Sequence, residues 1–409
     1  MTRHVLFIVT ERNSANGVCI NSIIRACLNR GMKVTCVTNQ EFNDPSDIIS
    51  NNVRFYTVRP RLVYRIHSRI NSGKISVCHK NVLAFCGTII NKIALLLSIP
   101  TWPLISYRYS RRIYEIIKSL HIKHKFDIVV PVYTQIDTII AANHLKQEYP
   151  DIKVIPYMLD SLAAGYGPRQ FSKGWVESRG LKWENRIFKD VDHIVMMKSS
   201  EDFYMRHKEL SYMSKVSFLD IPLYVCNDKK ATSSNKIPVI TYVGSIPGHI
   251  RNPKYFLDVF SALKNTKINL QIIGPSTCEP LIQQYLKSDN RIKRMQSVPH
   301  SEALEIIANS DMLLNLGNNL TTMMPSKIFE YISTGKPIIS TAPITNEPCI
   351  KYLEKYGNAC ILYESDPIEY SVNKLLDFIN AAHNVDPHTL SDEFHLNKPE
   401  TFVDIIEQI

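Results

Sequence analysis

A chain of 409 residues with 44% hydrophobic and 21% charged residues is long enough for two domains and too apolar to be intrinsically disordered. Its net charge of +10 is uneven: residues 1–225 carry 31 Lys+Arg against 18 Asp+Glu, and residues 226–409 carry 17 against 20. Nine cysteines, an odd number without C-x-x-C spacing, argue against a disulfide framework or a cysteine zinc site and fit reduced thiols in a cytoplasmic protein.

The opening "MTRHVLFIVT" has too short an apolar run for a signal peptide and reads as a core strand covered on both faces. A loop "ERNSANG" follows, then a helix with Val18, Ile20, Ile23, Ile24, Cys27 and Leu28 on one side and Gly31 as its stop, then strand "KVTCVT". This order opens a parallel α/β domain. Gly17, at the head of the helix, either lets a ligand approach the backbone or serves as a plain turn residue. Further strands are expected at 53–58, 127–133, 153–159 and 193–197, with helices "RRIYEIIKSL" and "TIIAANHLKQEY" between them. Tyr133 ends one strand and is expected to shape a pocket. Asp160 ends another, before the small-residue loop "SLAAGYG". A carboxylate there can deprotonate a hydroxyl; a turn or N-cap role is the alternative. "DVD" at 190–192 precedes a strand and reads as a solvated turn. No His/Cys/Asp cluster has metal-ligand spacing, so no metal is required.

The basic excess is local. Residues 54–125 hold 14 basic residues and one acidic residue, Glu115. Within them "VLAFCGTIINKIALLLSIPTWPLIS" (82–106) is apolar around Lys92 and Trp102, yet its uninterrupted part falls short of the roughly 20 residues that span a bilayer. With Arg108, Arg111 and Arg112 it suits an interfacial segment on an anionic membrane surface; a buried helix under a solvated basic face is the alternative. No nucleic-acid recognition module is present, so nucleic acid is not an expected partner.

Residues 226–236 are polar and unpatterned, as in a linker, and then the strand–helix rhythm restarts. The expected division is 1–225, 237–385 and a tail, 386–409, whose helix "ETFVDIIEQI" could pack on either domain. In "PSKIFEYISTGKPII" (325–339), Pro325 suits a first helical turn and Gly335 a C-cap. Ile328, Tyr331 and Ile332 share a face; Lys327 and Glu330 fall off it towards the rim. The free amides of Ser326 and Lys327 can hold a phosphate, with Glu330 accepting from ribose hydroxyls. A capped helix with a Lys327–Glu330 surface pair fits the local pattern equally.

This stretch resembles the donor-nucleotide helix of GT-B glycosyltransferases, especially glycosyltransferase family 4. The similarity runs from "VITYVGS" to "GNACILY" and more loosely over the first domain. The resemblance implies two Rossmann-like, doubly wound α/β domains facing a central cleft. It implies that the Ser326 and Lys327 amides meet the donor diphosphate behind Pro325, and that Glu330 binds the ribose. In "YVGSIPGHIRNPKYFLDVF" the family places basic residues just after the glycine and about seven further on. Here Gly244 is followed by Ser245, and Arg251 takes the second place. Arg251 is then the main cation for the leaving diphosphate. Many retaining relatives have Glu-x7-Glu; Thr322 stands where the first glutamate would be, so the stereochemical outcome stays open. The expected protein transfers sugar from a UDP- or GDP-sugar, without a cofactor, to a saccharide or lipid-linked acceptor at the inner face of the cytoplasmic membrane. A nucleotide-sugar epimerase of the same fold and a non-catalytic relative are the alternatives.

Overall fold

The computed structural model describes residues 2–10, 15–39, 48–61, 64–65, 85, 87–90, 92–93, 96, 102–165, 171–226, 235–264, 266–321 and 324–409. Residues 11–14, most of the linker (227–234) and Thr322 lie outside them, so the readings placed there have no structural counterpart. The chain divides into two units: Met1–Pro222 with Pro399–Ile409, and Leu223–Lys398.

The first unit is built on parallel strands β1 (His4–Val9), β2 (Lys33–Thr38), β3 (Arg54–Thr57), β4 (Ile128–Tyr133), β5 (Lys153–Val154), β6 (Tyr157–Met158), β7 (Ile194–Met197) and β8 (Val216–Leu219). The path is β3-β2-β1-β4-β6-β7-β8, with β5 also on β4. The run expected as one strand at 153–159 is split at Pro156, which has no N–H to donate; its carbonyl still accepts from Val195 N at 2.9 Å. Helices α1 (Ala15–Asn29), α2 (Ile48–Asn52), α3 (Tyr107–His124), α4 (Asp137–Glu148), α5 (Lys173–Ile187) and α6 (Glu201–Met205) accompany the sheet. The core joins Leu6, Ile8 and Val129 of the sheet to Ile113 and Ile117 of α3 and Ile139 of α4.

One expectation is corrected here. Trp102, assigned above to a membrane surface, belongs to this core and is only 9% exposed, its ring 6.0 Å from that of Trp175. A large ring gains more from filling the core than from standing in water, and the apolar spacing of 82–106 does not distinguish the two.

The second unit repeats the plan with β9 (Val239–Val243), β10 (Asn269–Ile273), β11 (Ile292–Met295), β12 (Met312–Leu316), β13 (Ile338–Ala342) and β14 (Ala359–Tyr363), all parallel, in the order β11-β10-β9-β12-β13-β14. Its helices are α7 (Lys254–Ala262), α8 (Glu279–Ser288), α9 (His300–Asn309), α10 (Lys327–Ile332), α11 (Ile350–Tyr356) and α12 (Ile368–Ala381). Both sheets reverse their winding beside the first strand, at β1/β4 and at β9/β12. The carboxyl side of such a reversal is where open α/β sheets take ligands.

The final helix, α13 (Pro399–Gln408), returns to the first unit. Phe402, Val403 and Ile406 are fully buried, the Phe402 ring meets Tyr157 at 5.1 Å, and Arg30, just past α1, pairs with Asp404 and Glu407.

Candidate functional site

At the carboxyl edge of the second sheet, the chain leaves β9 through Gly244 and Ser245 and turns at 247–251 before α7. The Gly244 N–H is already spent on Ile273 O at 2.9 Å, so it is not free for a ligand. A side chain at Gly274 would stand 2.2 Å from Gly244 O, so these two loops pack backbone to backbone. Ser245 is exposed, and its carbonyl accepts from the Tyr242 hydroxyl at 2.8 Å.

Arg251 comes back over this edge. Its Nε donates to Asn318 Oδ1 at 2.9 Å and its Nη1 to the Tyr242 hydroxyl at 3.3 Å. Nη2 has no partner among the described residues. Asn318, fully buried just past β12, donates its backbone N–H to Glu347 Oε1 at 3.3 Å. Glu347 is 3% exposed, and its Oε2 takes the Cys349 N–H at 2.7 Å. Burial pushes its carboxyl above the usual carboxylate range, while the Cys349 and Asn318 amides and the Arg251 charge pull the other way.

Helix α10 closes the edge. Pro325 is buried, and its carbonyl accepts from Ile328 N at 3.2 Å, so the first turn is tight. Tyr331 pins the helix to β9: its hydroxyl accepts from Val243 N at 3.0 Å and donates to Val243 O at 3.3 Å. Gly335 ends the turn at φ +70°, where a side chain would meet Val385 O at 2.0 Å. Glu330 is 9% exposed, more buried than its place off the apolar face suggested. Its side-chain partner among the described residues is Lys327, whose Nζ lies 3.3 Å from Oε2. The pair is therefore neither the surface pair of the alternative reading nor a saturated carboxylate. Both Arg251 and Glu330 act electrostatically on the Tyr331 phenol, which burial holds far above its ordinary range.

The first unit has its own candidate edge. Tyr133 ends β4, and burial raises its phenol, helped by the charges of Glu184 and Asp160. Asp160 is exposed after β6, followed by a loop fastened from below. Glu184 of α5, 0% exposed, accepts from the Leu162 and Ala163 amides at 3.1 and 3.0 Å and from the Tyr204 and Tyr212 hydroxyls at 2.7 and 2.9 Å. Burial raises its carboxyl against the pull of these four donors. A side chain at Gly180 would stand 2.4 Å from Ala163 Cα, so α5 and this loop touch. Gly17 is buried in the first turn of α1.

Elsewhere, Asp192 of the "DVD" turn is not simply solvated: it accepts from Lys146 Nζ at 2.6 Å and Val154 N at 2.8 Å, closing a corner. A recess of about 290 Å³ lies at the opposite, amino edge of the second sheet, lined by Pro238, Asp311 and Lys336 among others. It is remote from the strand ends that carry Arg251 and Glu330. Among the described residues no helix is long and apolar enough to cross a membrane. Lys92, Arg108 and Arg111 are exposed, as are Phe85, Ile89, Ile93, Leu96 and Tyr107; Arg112 is half-buried over the Tyr109 ring.

Residues 237–378, which carry this second edge, match the family model Glycosyl transferases group 1. About a third of the chain, all of it within the second unit, is thus similar to the group 1 glycosyl transferases. Solved structures similar to the whole chain agree in fold. The lipopolysaccharide outer core galactosyltransferase WaaB matches at 13% identity and TM-score 0.55, over 99% of this chain and 100% of its own. A glycosyltransferase from Rickettsia africae matches at 11% and 0.61, over 100% and 98%. WaaG, a glycosyltransferase of lipopolysaccharide biosynthesis, matches at 13% and 0.52, over 98% and 99%. The chain thus has the two-domain α/β architecture of GT-B glycosyltransferases. The comparison with curated proteins finds no significant match. Of the residues that anchor this edge, sequence reasoning missed Tyr242, Asn318, Tyr331's bonds and Glu347. "GNN" after β12 and "TNEP" after β13 were the available signals, as polar residues at strand carboxyl ends. In the first unit Glu184 was readable as the one acid on the Val176–Gly180–Ile187 stripe of α5.

Proposed function

We propose that this protein is a glycosyltransferase that moves a sugar from a UDP- or GDP-sugar to a saccharide or lipid-linked acceptor. The observation that carries the reading is Arg251: a guanidinium fixed along one side, with Nη2 unengaged among the described residues, at the carboxyl edge of a region similar to group 1 glycosyl transferases. Cleaving the sugar–phosphate bond leaves negative charge on the β-phosphate, and a cation already in place stabilises it. Glu330, buried with one partner, offers spare acceptor capacity for ribose hydroxyls. The Ser326 and Lys327 amides add donors to the phosphates, but α10 has only six residues, so its dipole adds little and Arg251 carries most of the charge. Gly244, Ser245 and Pro325 shape the turn around them. No metal enters this reading.

In the first unit Asp160 would take the acceptor hydroxyl's proton, with Tyr133 forming the wall beside it. Lys92, Arg108 and Arg111, beside exposed Phe85, Ile93 and Leu96, support peripheral attachment to the anionic inner face of the cytoplasmic membrane, where a lipid-linked acceptor would lie. An epimerase would leave this basic, apolar face without a role.

The reading is tested by calorimetry with UDP and GDP. Arg251→Ala should weaken the preferred diphosphate by about 10–100-fold and Glu330→Ala by about 5–20-fold, the range of lost charge-assisted hydrogen bonds. Unchanged affinity in both variants removes the donor from this edge.

A further inference from the structure

The second unit also holds a buried acid, Glu347, with no direct cationic partner among the described residues and two hydrogen bonds away from the proposed phosphate cation. Its Oε1 accepts from Asn318 N, and Asn318 Oδ1 accepts from Arg251 Nε. The loops that bear them are pressed together. A side chain at Gly317 would meet Thr341 O at 2.3 Å and Glu347 Cγ at 3.0 Å, and Gly317 N itself donates to Thr341 O at 3.1 Å. Glu347 is further tied to the start of α11 by Cys349 N. The Asn318 backbone is therefore held in place beneath the side chain that meets Arg251.

We propose that Asn318 and Glu347 are positioning residues for Arg251, setting its guanidinium plane so that Nη2 meets the donor's β-phosphate. The proposal rests on the donor reading above. An arginine free to sample its rotamers loses that freedom on binding; one held through Nε has lost it beforehand. The Tyr242 hydroxyl on Nη1 completes the brace. A carboxylate suits the anchor because it accepts two backbone N–H groups at once, which an amide side chain does only by turning its NH₂ against one of them. Its charge and that of Arg251 act on each other, which offsets a fixed cation when the site is empty.

The test uses the full chain and two probes, UDP and UMP (or GDP and GMP, if guanine is preferred). UMP lacks the β-phosphate and reports on the rest of the site. Asn318→Ala should weaken UDP about tenfold, Glu347→Gln about fivefold and Tyr242→Phe about threefold, with UMP competition within about twofold of the unaltered protein. In an Arg251→Ala background the same changes should add nothing, since residues acting through one group are not additive. Equal loss for UDP and UMP, or full additivity with Arg251→Ala, overturns the brace and leaves these residues structural. An Arg251→Ala protein that binds UDP normally overturns the donor reading itself, and the brace with it. If Asn318→Ala does not fold, the Tyr242→Phe series, which removes one hydroxyl, decides by the same criteria.

Discussion

Each unit holds a buried glutamate beneath the carboxyl edge of its sheet, and the two are partnered differently. Glu184 meets four neutral donors, two amides and two phenols, with no cation bonded to it. Glu347 meets two amides, and the Arg251 charge acts on it from behind Asn318. A carboxylate satisfied by dipoles alone fixes backbone, here the loop behind Asp160. A carboxylate linked through an amide side chain to a guanidinium fixes a charge. The contrast extends to composition: the first unit's part of the chain is strongly basic outside, the second's slightly acidic.

The largest effect expected from this contrast lies in Glu184→Ala. Removing the carboxylate strands four buried donors at once, and the first unit should lose about 3–5 kcal/mol, read as a fall in its melting transition. A loss under about 1 kcal/mol would mean that water takes over the carboxylate's place, and the clamp on residues 162–163 would be no clamp. Next comes the basic face. Neutralising Lys92, Arg108 and Arg111 together to glutamine should cut binding to anionic vesicles about 100-fold in flotation, at about 1 kcal/mol per charge, and leave neutral vesicles unaffected. Undiminished flotation would leave the positive face to solvent. The smallest effect is in pH. Burial raises the Glu184 carboxyl, so the folded chain holds that proton more readily than the unfolded one, whose value is near 4.5. Stability from this group then falls as pH rises from about 4.5 through the raised folded value. Glu184→Gln removes the titration, so its stability relative to the unaltered protein should improve as pH rises above about 4.5. A gap that stays constant across this window would show the carboxyl to be unperturbed.

The doubly wound plan was legible because buried parallel strands are continuous apolar runs and their helices carry a 3.6-residue stripe. "HVLFIVT" and "VITYV" show the first and α3 the second. The short strand β8 and helix α5 were not foreseen, since they are fixed by neighbours distant in sequence; the split at Pro156 was legible in the proline itself and was passed over. Pro325, Lys327, Glu330 and Arg251 were singled out through motif resemblance, and all four lie in the second unit. Glu330's burial and the spent Gly244 N–H were hidden, because both depend on how loops from β9, β10 and α10 stack. Trp102 was misplaced for the same reason: an apolar run beside arginines has one pattern whether its ring meets lipid or Trp175. Glu347 and Asn318 escaped notice because their significance lies in a relay across three loops, and no spacing encodes that.

The return of α13 to the first unit orders synthesis in time. Phe402, Val403 and Ile406 complete a core whose other walls, α1 and Tyr157, emerge from the ribosome more than two hundred residues earlier. The nascent first unit therefore waits, with the apolar flank of α1 uncovered, while residues 223–398 are made and can fold as one continuous piece. A fragment ending at Pro222 would keep that flank bare for good, and a chaperone or a neighbouring chain would find it there.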